Sequence, residues 1–323
     1  LAACREAIRT AAAALKPGEW LIGRGYDHHK WSEQRTPSRH DLDDLVPGNP
    51  AMMVRSCGHS IWVNSRALEI AGIDRNSPEP PGGQIEREDG EGTPSGLIME
   101  ARDLVQPFIP EPTPEQIADA ARQAQAAALR LGLTGVHSCE GLAQWETLSR
   151  LDREGELKMR VYHLCPTDEL EEAGARGTAP GFGTDRLWFG HVKIFADGSL
   201  GSGTALLHEP YSDEAGNLGL PFLEPEQLRE RVHRAYAAGW DVAIHTIGDA
   251  ALTNALEAIA AQRSGSGRTH RDRVEHVQLF REQDLALFKQ LGVTASVQPI
   301  FVHTDWHVAD CRWGEQRCRC AYA

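Results

Sequence analysis

From residue 113 onward the sequence alternates regularly between short apolar runs and amphipathic stretches, and this alternation restricts the fold more than any other feature. Thr113, Pro114 and Gln116 form a helix start signal, with an N-cap, a proline at the first helical position and a capping-box partner. We expect that helix to end at Gly132. The segments that we predict to follow are strands at 135–138, 160–164, 192–196, 242–245, 274–276 and 294–298, and helices at 225–238, 250–261 and 282–291. Strands that alternate with helices predict an α/β fold with a parallel sheet.

Polar residues at the strand ends distinguish between the two common parallel folds. Four of the predicted strands carry a potential ligand or acid/base group: His137, Lys193, His245 and His276. In barrel enzymes the chemistry lies at the carboxyl ends of several different strands, whereas a doubly wound sheet gathers its ligand residues near one crossover. The sequence therefore predicts a (β/α)8 TIM-like barrel over residues 113–323.

The first part of the chain has a different character. Residues 1–112 are interrupted by proline and glycine, as at Pro17-Gly18 and Pro47-Gly48, and the apolar runs between these breaks are short. We expect a small α+β subdomain there.

Composition excludes several classes of protein. The 33 Lys and Arg against 46 Asp and Glu give a net charge of −13, so no basic surface is expected to bind nucleic acid. No apolar stretch approaches the roughly 20 residues that span a bilayer, so no membrane association is expected. The seven cysteines are irregularly spaced, which favours reduced thiols and a cytoplasmic protein.

His245 and His276 form the strongest candidate site. Each closes an apolar strand, and one strand-plus-helix unit separates them, so two imidazoles at the same depth could share a metal ion. The competing interpretation of either residue alone is an ordinary core histidine. The equivalent position of both favours a metal site.

Lys193 lies in the otherwise apolar run HVKIFADGSLGSGTA, where a charged amine is unfavourable unless something compensates it. Two interpretations stay open, an ion pair with Asp197 or metal ligation after carbamylation, and the residues alone favour the ion pair. The glycine-rich part of the same run lacks the Lys-Ser/Thr ending of a phosphate loop, so we expect a tight turn.

Farther along, His303 and His307 are spaced for one helix face and follow the last predicted strand, so His303 is a candidate substrate contact. Cys311, Cys318 and Cys320 lack a fourth zinc ligand and regular spacing, so we expect them to be incidental.

Several segments together resemble the amidohydrolase superfamily, in the branch that includes N-substituted formamide deformylases and relatives of D-aminoacylases. They are PGEWLIGRGYD, GHSIWVNSRALEIAGI, GLTGVHS, VKIFADGSLGSGTA, AIHTIGD, RVEHVQL and SVQPIF. The resemblance implies an H-x-H pair on the first barrel strand, a lysine on the fourth that can bridge metals when carbamylated, one histidine each on the fifth and sixth, and an aspartate on the eighth. Lys193, His245 and His276 match the fourth, fifth and sixth strands. His59, in GHSIWVNS, matches a segment that approaches the barrel mouth and is a second candidate substrate contact, with a structural hydrogen bond as the open alternative.

The sequence departs from the family pattern at both ends. No H-x-H strand precedes Lys193, and no strand ending in aspartate follows Gln298. We therefore expect a barrel without its first and eighth strands, which supplies strands two to seven from residues 113–323 and places the α+β subdomain as an insertion after the first strand. The general-base aspartate is expected beyond Ala323, in a natural protein that is longer than this stretch, and this stretch alone should be inactive.

The function implied by the resemblance is hydrolysis of a carbon–nitrogen bond in a small-molecule amide or N-formyl compound. Its cofactor would be a divalent metal, zinc being the expected ion, with one or two ions bound. Two alternatives stay open: a non-catalytic binding or regulatory protein on the same barrel, and a deaminase or isomerase of the same superfamily. A homodimer is the default expectation for oligomeric state.

Overall fold

The protein is described here by a computed structural model, which covers residues 1–323 apart from 34, 57, 59, 81, 82, 89, 91, 100, 264–268 and 323. The chain forms two compact units, Leu1–Glu111 and Pro112–Ala323. No helix in the part of the chain that the structure describes is both long and apolar enough to cross a bilayer.

The first unit is an α+β structure built on a five-stranded sheet. Its elements are α1 Ala2–Ala12, β1 Leu21–Tyr26, α2 Arg39–Asp43, β2 Ala51–Arg55, β3 Ser60–Val63, α3 Ser65–Ala71, β4 Gln84–Arg87 and β5 Pro94–Met99. Short 3-10 turns lie at His28–Lys30, Arg102–Leu104 and Gln106–Phe108. The strand order is β1-β2-β3-β5-β4, in which only β1 and β2 pair in parallel.

Local signals in the sequence fix helix α3 of this unit. The Asn64 side chain caps the helix by accepting a hydrogen bond from the Ala67 amide, 3.0 Å away. Gly72 ends it in the left-handed conformation, with φ of 67°. The sheet packs through the buried side chains of Met52, Ile61 and Ile98.

The second unit alternates helix and strand. Its elements are α4 Pro114–Arg130, β6 Gly135–Ser138, α5 Leu142–Arg153, β7 Arg160–Pro166, α6 Leu170–Ala175, β8 Leu187–Phe195, α7 Pro225–Ala237, β9 Val242–Thr246, α8 Asp249–Arg263, β10 Arg273–His276, α9 Glu282–Leu291, β11 Thr294–Ser296, α10 Ile300–Arg312 and α11 Glu315–Cys318. The six predicted strands are therefore all present. The predicted capping box is also confirmed, because the Thr113 hydroxyl accepts from the Gln116 amide and the Gln116 side chain accepts from the Thr113 amide.

The strands of this unit form one curled parallel sheet. Their order follows the chain, β11-β10-β9-β8-β7-β6, and each adjacent pair is parallel. This confirms the α/β class with a parallel sheet. The strands β6 and β11 lie at the two edges.

The two faces of the sheet differ sharply in chemistry. One face packs against the helices and carries apolar residues that are completely buried: Val192, Ile194, Val242, Ile244 and Val274. Because side chains alternate between faces along a strand, the intervening positions point to the other side. Those positions carry Lys193, His245, Arg273 and Glu275. The sheet therefore has one apolar face for packing and one face available for chemistry.

Candidate metal centre

The structure brings His245 and His276 together. Their ring centroids are 4.5 Å apart and the rings are inclined at 69°. They lie at the carboxyl ends of β9 and β10, which are adjacent strands of the sheet. This is the end of a parallel sheet at which ligands are usually bound.

The two histidines do not occupy the same register position, contrary to the expectation from their strand ends. His245 is paired with Glu275, and His276 is paired with Thr246. In an ordinary strand His276 would therefore point away from the face that carries His245.

A left-handed backbone corrects this offset. His276 has φ of 69° and the following Val277 has φ of 47°, both in the region that side chains other than glycine rarely occupy. The Val277 amide folds back to donate to the Glu275 carbonyl, 3.0 Å away. The turn brings the His276 ring beside His245, so strained backbone occurs at the position where the two imidazoles meet.

His245 is held by a backbone carbonyl. Its Nε2 lies 3.0 Å from the oxygen of Gly198 and 3.8 Å from Oδ1 of Asp197. A carbonyl oxygen only accepts hydrogen bonds, so Nε2 donates and Nδ1 keeps its lone pair. Histidines that bind metals commonly use their second ring nitrogen in this way.

Burial keeps both imidazoles neutral. It lowers the pKa of His245 to about 3 and also lowers the pKa of His276. Nδ1 of His276 is buried and has no hydrogen-bond partner among the described residues. Two neutral imidazoles, one with a buried unpartnered nitrogen, are suitable nitrogen ligands for a zinc-type ion.

Lys193 extends along the same face toward these histidines. It is paired with Ala243, two residues before His245, and its Nζ lies over the Phe195 ring, 4.2 Å from the centroid. The Phe195 ring is in turn 5.1 Å from that of His245. Burial lowers the pKa of Lys193 to about 8, so roughly a tenth of the amine is neutral near pH 7, far more than for an exposed lysine.

The ion pair between Lys193 and Asp197 that the residues alone favoured is absent, since the structure, which describes both residues, shows no salt bridge between them. Asp197 is completely buried and instead accepts hydrogen bonds from the amides of Leu206, Ile247 and Gly248 at 2.8–3.0 Å. Burial raises the pKa of this carboxyl to about 7 against the opposing effect of these amides. Asp197 therefore holds backbone segments together rather than neutralising the lysine.

The glycine-rich segment after β8 is a tight turn, as its sequence predicts. The Gly198 amide donates to the Thr204 carbonyl at 3.2 Å, and the Ser199 amide donates to the Thr204 hydroxyl at 3.0 Å. A Cβ on Gly198 would lie 2.0 Å from that hydroxyl, so glycine is required there.

The two candidate substrate contacts have different outcomes. His59 lies outside the described residues. His303 lies on α10 and is exposed, and another residue of this helix, Phe301, approaches the site, with its ring centroid 5.8 Å from that of His276. A role for His303 stays a prediction.

Sequence reasoning missed a polar layer on the same face of the sheet. The Tyr162 hydroxyl donates to Nδ1 of His191 at 2.5 Å, because Nε2 of His191 donates to the Arg271 carbonyl at 2.7 Å. Arg273 lies over the Tyr162 ring and 2.5 Å from a carboxylate oxygen of Glu275. Strand alternation could have identified the inward positions, but the distances between their side chains depend on the register between strands.

Another group with metal-binding potential lies at the opposite ends of the strands. Ligand atoms of Asp241, His270 and Asp272 lie within 4.8 Å of one another. However, Asp272 is already engaged, since it accepts from the Val242 amide at 2.9 Å and from the Arg263 guanidinium. This cluster joins the strand starts to helix α8 and is a poorer candidate than the histidine pair.

Known proteins support the resemblance noted from sequence. The sequence profile of the amidohydrolase family matches residues 1–323. The chain is 32% identical over 326 residues to a putative amidohydrolase, YtcJ, of Bacillus subtilis, an alignment that covers 98% of this chain and 60% of that protein. It is 27% identical over 306 residues to the N-substituted formamide deformylase of Arthrobacter pascens, covering 91% of this chain and 56% of the deformylase.

A solved structure gives the same indication. An uncharacterized metal-dependent hydrolase from Pyrococcus furiosus matches with a TM-score of 0.77 and 30% identity, over 98% of this chain and 63% of that one. The chain thus spans about three fifths of the length of the relatives it matches.

Proposed function

The chain belongs to the amidohydrolase family, and on this premise we propose that it supplies part of the metal centre of a hydrolase that cleaves carbon–nitrogen bonds. The observation that carries the proposal is the 4.5 Å approach of the His245 and His276 rings, produced by left-handed backbone at His276. Two partly buried, neutral imidazoles that a strained backbone brings together at a sheet end favour a shared ligand over simple core packing.

The residues present fit a divalent metal, and zinc is the ion that we propose. His245 and His276 would hold it through neutral ring nitrogens, and Lys193 is the third candidate ligand. When bound, such an ion polarises a substrate carbonyl and lowers the pKa of water to about 7. Elemental analysis of the complete protein distinguishes one bound ion from two.

Lys193 can become an anionic ligand by carbamylation. The neutral Nζ attacks carbon dioxide, a nitrogen–carbon bond forms, and a proton leaves the nitrogen for solvent, which gives a carbamate anion. The lowered pKa of Lys193 favours this step, because only the unprotonated amine is nucleophilic.

The chain's own residues shape the site around these ligands. The Gly198 carbonyl orients His245, and the rings of Phe195 and Phe301 flank the two imidazoles. These apolar rings would limit access of bulk water to the reacting bond and contact the organic part of the substrate. We propose small-molecule amides or N-formyl amines as substrates, and the deformylase among the relatives supports the second class.

We propose that the six parallel strands are strands two to seven of a (β/α)8 barrel, which places Lys193 on the fourth strand, His245 on the fifth and His276 on the sixth. The likeness to the Pyrococcus hydrolase and the sequential strand order support this assignment.

Metal analysis of the complete protein tests the proposal. Elemental analysis should find near-stoichiometric zinc in the purified protein and strongly reduced zinc in His245→Ala and His276→Ala variants. His233→Ala is a matched control, because that histidine is exposed on α7 and should leave the metal content unchanged. Full zinc in both site variants would overturn the assignment.

Activity is measured on the same samples. Release of free amine from a panel of N-formyl and N-acyl amines should be abolished by a chelator and restored by zinc. A folded protein without metal or amide hydrolysis would favour a binding or regulatory protein, and metal-dependent release of ammonia from aminated rings would favour a deaminase.

A further inference from the structure

The segment that follows β8 contains a buried carboxylate that faces His245, and the proposed function leaves it without a role. Asp197 is completely buried, and both of its oxygens accept backbone hydrogen bonds. Oδ1 accepts from Ile247, while Oδ2 accepts from Leu206 and Gly248. One side chain thus joins the turn after β8 to the turn after β9.

This junction determines where the Gly198 carbonyl points. Thr204 closes the turn around Gly198, and the Leu206 carbonyl accepts from the amides of Ala250 and Ala251 in the first turn of α8. The turn is therefore attached at both ends, to Asp197 and to helix α8. With the turn fixed, the Gly198 oxygen lies 3.0 Å from Nε2 of His245.

The same geometry surrounds Nε2 with oxygen atoms. The Gly198 carbonyl lies at 3.0 Å and Oδ1 of Asp197 lies at 3.8 Å. A lone pair on Nε2 would face both oxygens, whereas an N–H there is attracted by both. The other ring nitrogen, Nδ1, is then the one available to a metal.

We propose that Asp197 is a positioning residue that holds His245 as the Nε2–H tautomer and thereby selects Nδ1 as the metal ligand atom. Asp197 acts in two ways, through its own oxygen and through the turn that presents the Gly198 carbonyl. The metal part of this proposal rests on the proposed function; the tautomer part does not.

The test is the tautomer of His245 in metal-free protein, read from nitrogen chemical shifts after labelling histidine with 15N. The His245 signal is assigned by its loss in His245→Ala. The wild-type protein should show a protonated Nε2 and a pyridine-like Nδ1. A dominant Nδ1–H signal in the wild-type protein would overturn the proposal without any variant of Asp197.

Asp197→Asn sharpens the test. The amide can replace only one acceptor oxygen, so its NH2 must face either Ile247 or the Leu206 and Gly248 pair, and the Nε2–H tautomer should lose its dominance. Zinc affinity of the folded protein should fall about 10- to 100-fold, as for other groups that orient metal-binding histidines.

Asp272→Asn is the matched control. Asp272 is equally buried and also binds the backbone of β9, but at the opposite end of the strand. This variant should lose stability while its His245 tautomer and zinc affinity stay as in the wild type. An unchanged tautomer in Asp197→Asn, or an equal loss of zinc affinity in both variants, would reduce Asp197 to a structural role.

The two proposals fail in distinguishable ways. If the tautomer changes in Asp197→Asn but wild-type protein binds no zinc, the positioning role stands and the proposed function falls. If wild-type protein binds zinc through His245 and the His245 tautomer is the same in Asp197→Asn as in the wild type, the proposed function stands and the positioning role falls.

Discussion

His276 contacts the ring of His245 although the sheet pairs His245 with Glu275. The left-handed backbone at His276 resolves this offset, and such backbone is unfavourable for any residue with a Cβ. Part of the native stability is therefore given up at the residue that we assign as a metal ligand.

Replacing His276 separates this strain from the side chain's function. His276→Gly and His276→Ala should both lose metal, but the glycine variant should be about 1 kcal/mol more stable than the alanine variant, because glycine adopts positive φ without a steric penalty. Urea unfolding of the metal-free variants measures the difference. Equal stabilities would show that the backbone relaxes once the imidazole is removed.

The turn after β9 should tolerate no side chain at Gly248. A Cβ there would lie 2.0 Å from the Leu206 carbonyl oxygen, so Gly248→Ala should destabilise the protein by about 2–3 kcal/mol. Gly239→Ala is the comparison, since its Cβ meets no atom within 4 Å and only its φ of 83° is unfavourable. That variant should lose about 1 kcal/mol in the same urea titration.

Acid should destabilise the protein through His163. This ring is completely buried against the rings of Trp145 and Phe189, which stack on each other, and burial lowers its pKa to about 4. The unfolded chain, with a pKa near 6.5, binds the proton more readily, so the stability from the neutral ring is present above pH 6.5 and is lost as pH falls toward 4.

His163→Phe should remove that part of the pH dependence. Between pH 7 and pH 5 the wild-type protein should lose about 2 kcal/mol more stability than the variant. Denaturant titrations at the two pH values give the comparison, with the exposed His233→Phe as control. An equal pH dependence in wild type and His163→Phe would contradict the assignment.

The ion pair between Arg263 and Asp272, at the other end of the strands, should be critical for stability. Arg263→Met leaves the completely buried Asp272 without its guanidinium partner, which should destabilise the protein by about 3–5 kcal/mol. Arg150→Met breaks a half-exposed pair with Glu115 and should change stability by less than about 1 kcal/mol. Thermal unfolding ranks the two variants, and a similar small loss in both would show that Asp272 finds another partner.

Much of this architecture follows from local sequence signals. Thr113 and Gln116 define the start of α4, and Gly292 ends α9 in the left-handed conformation, as in many helices. The apolar runs are clearest in the four inner strands, β7 to β10, which bury one face against helices, whereas the edge strands β6 and β11 stay largely exposed. The positions of Lys193 and His245 on one face follow from alternation along their strands.

Features that depend on tertiary geometry were not predictable. The one-residue offset of His276 depends on register and on two unusual backbone angles. Asp197 was expected to pair with Lys193, but its oxygens accept hydrogen bonds from three backbone amides in two turns. Only the tertiary fold brings those two turns together. Helical spacing suggested His303, whose role stays a prediction, but it gave no indication that Phe301 of the same helix lies with its ring centroid 5.8 Å from that of His276.

The left-handed turn at His276 has a consequence for the protein's evolution and engineering. Substitutions that relax this turn, such as His276→Gly, should raise thermal tolerance while removing one imidazole of the proposed metal centre, so a screen for heat resistance alone would favour loss of that ligand. Variants of this protein that are selected for stability should therefore also be screened for retained metal.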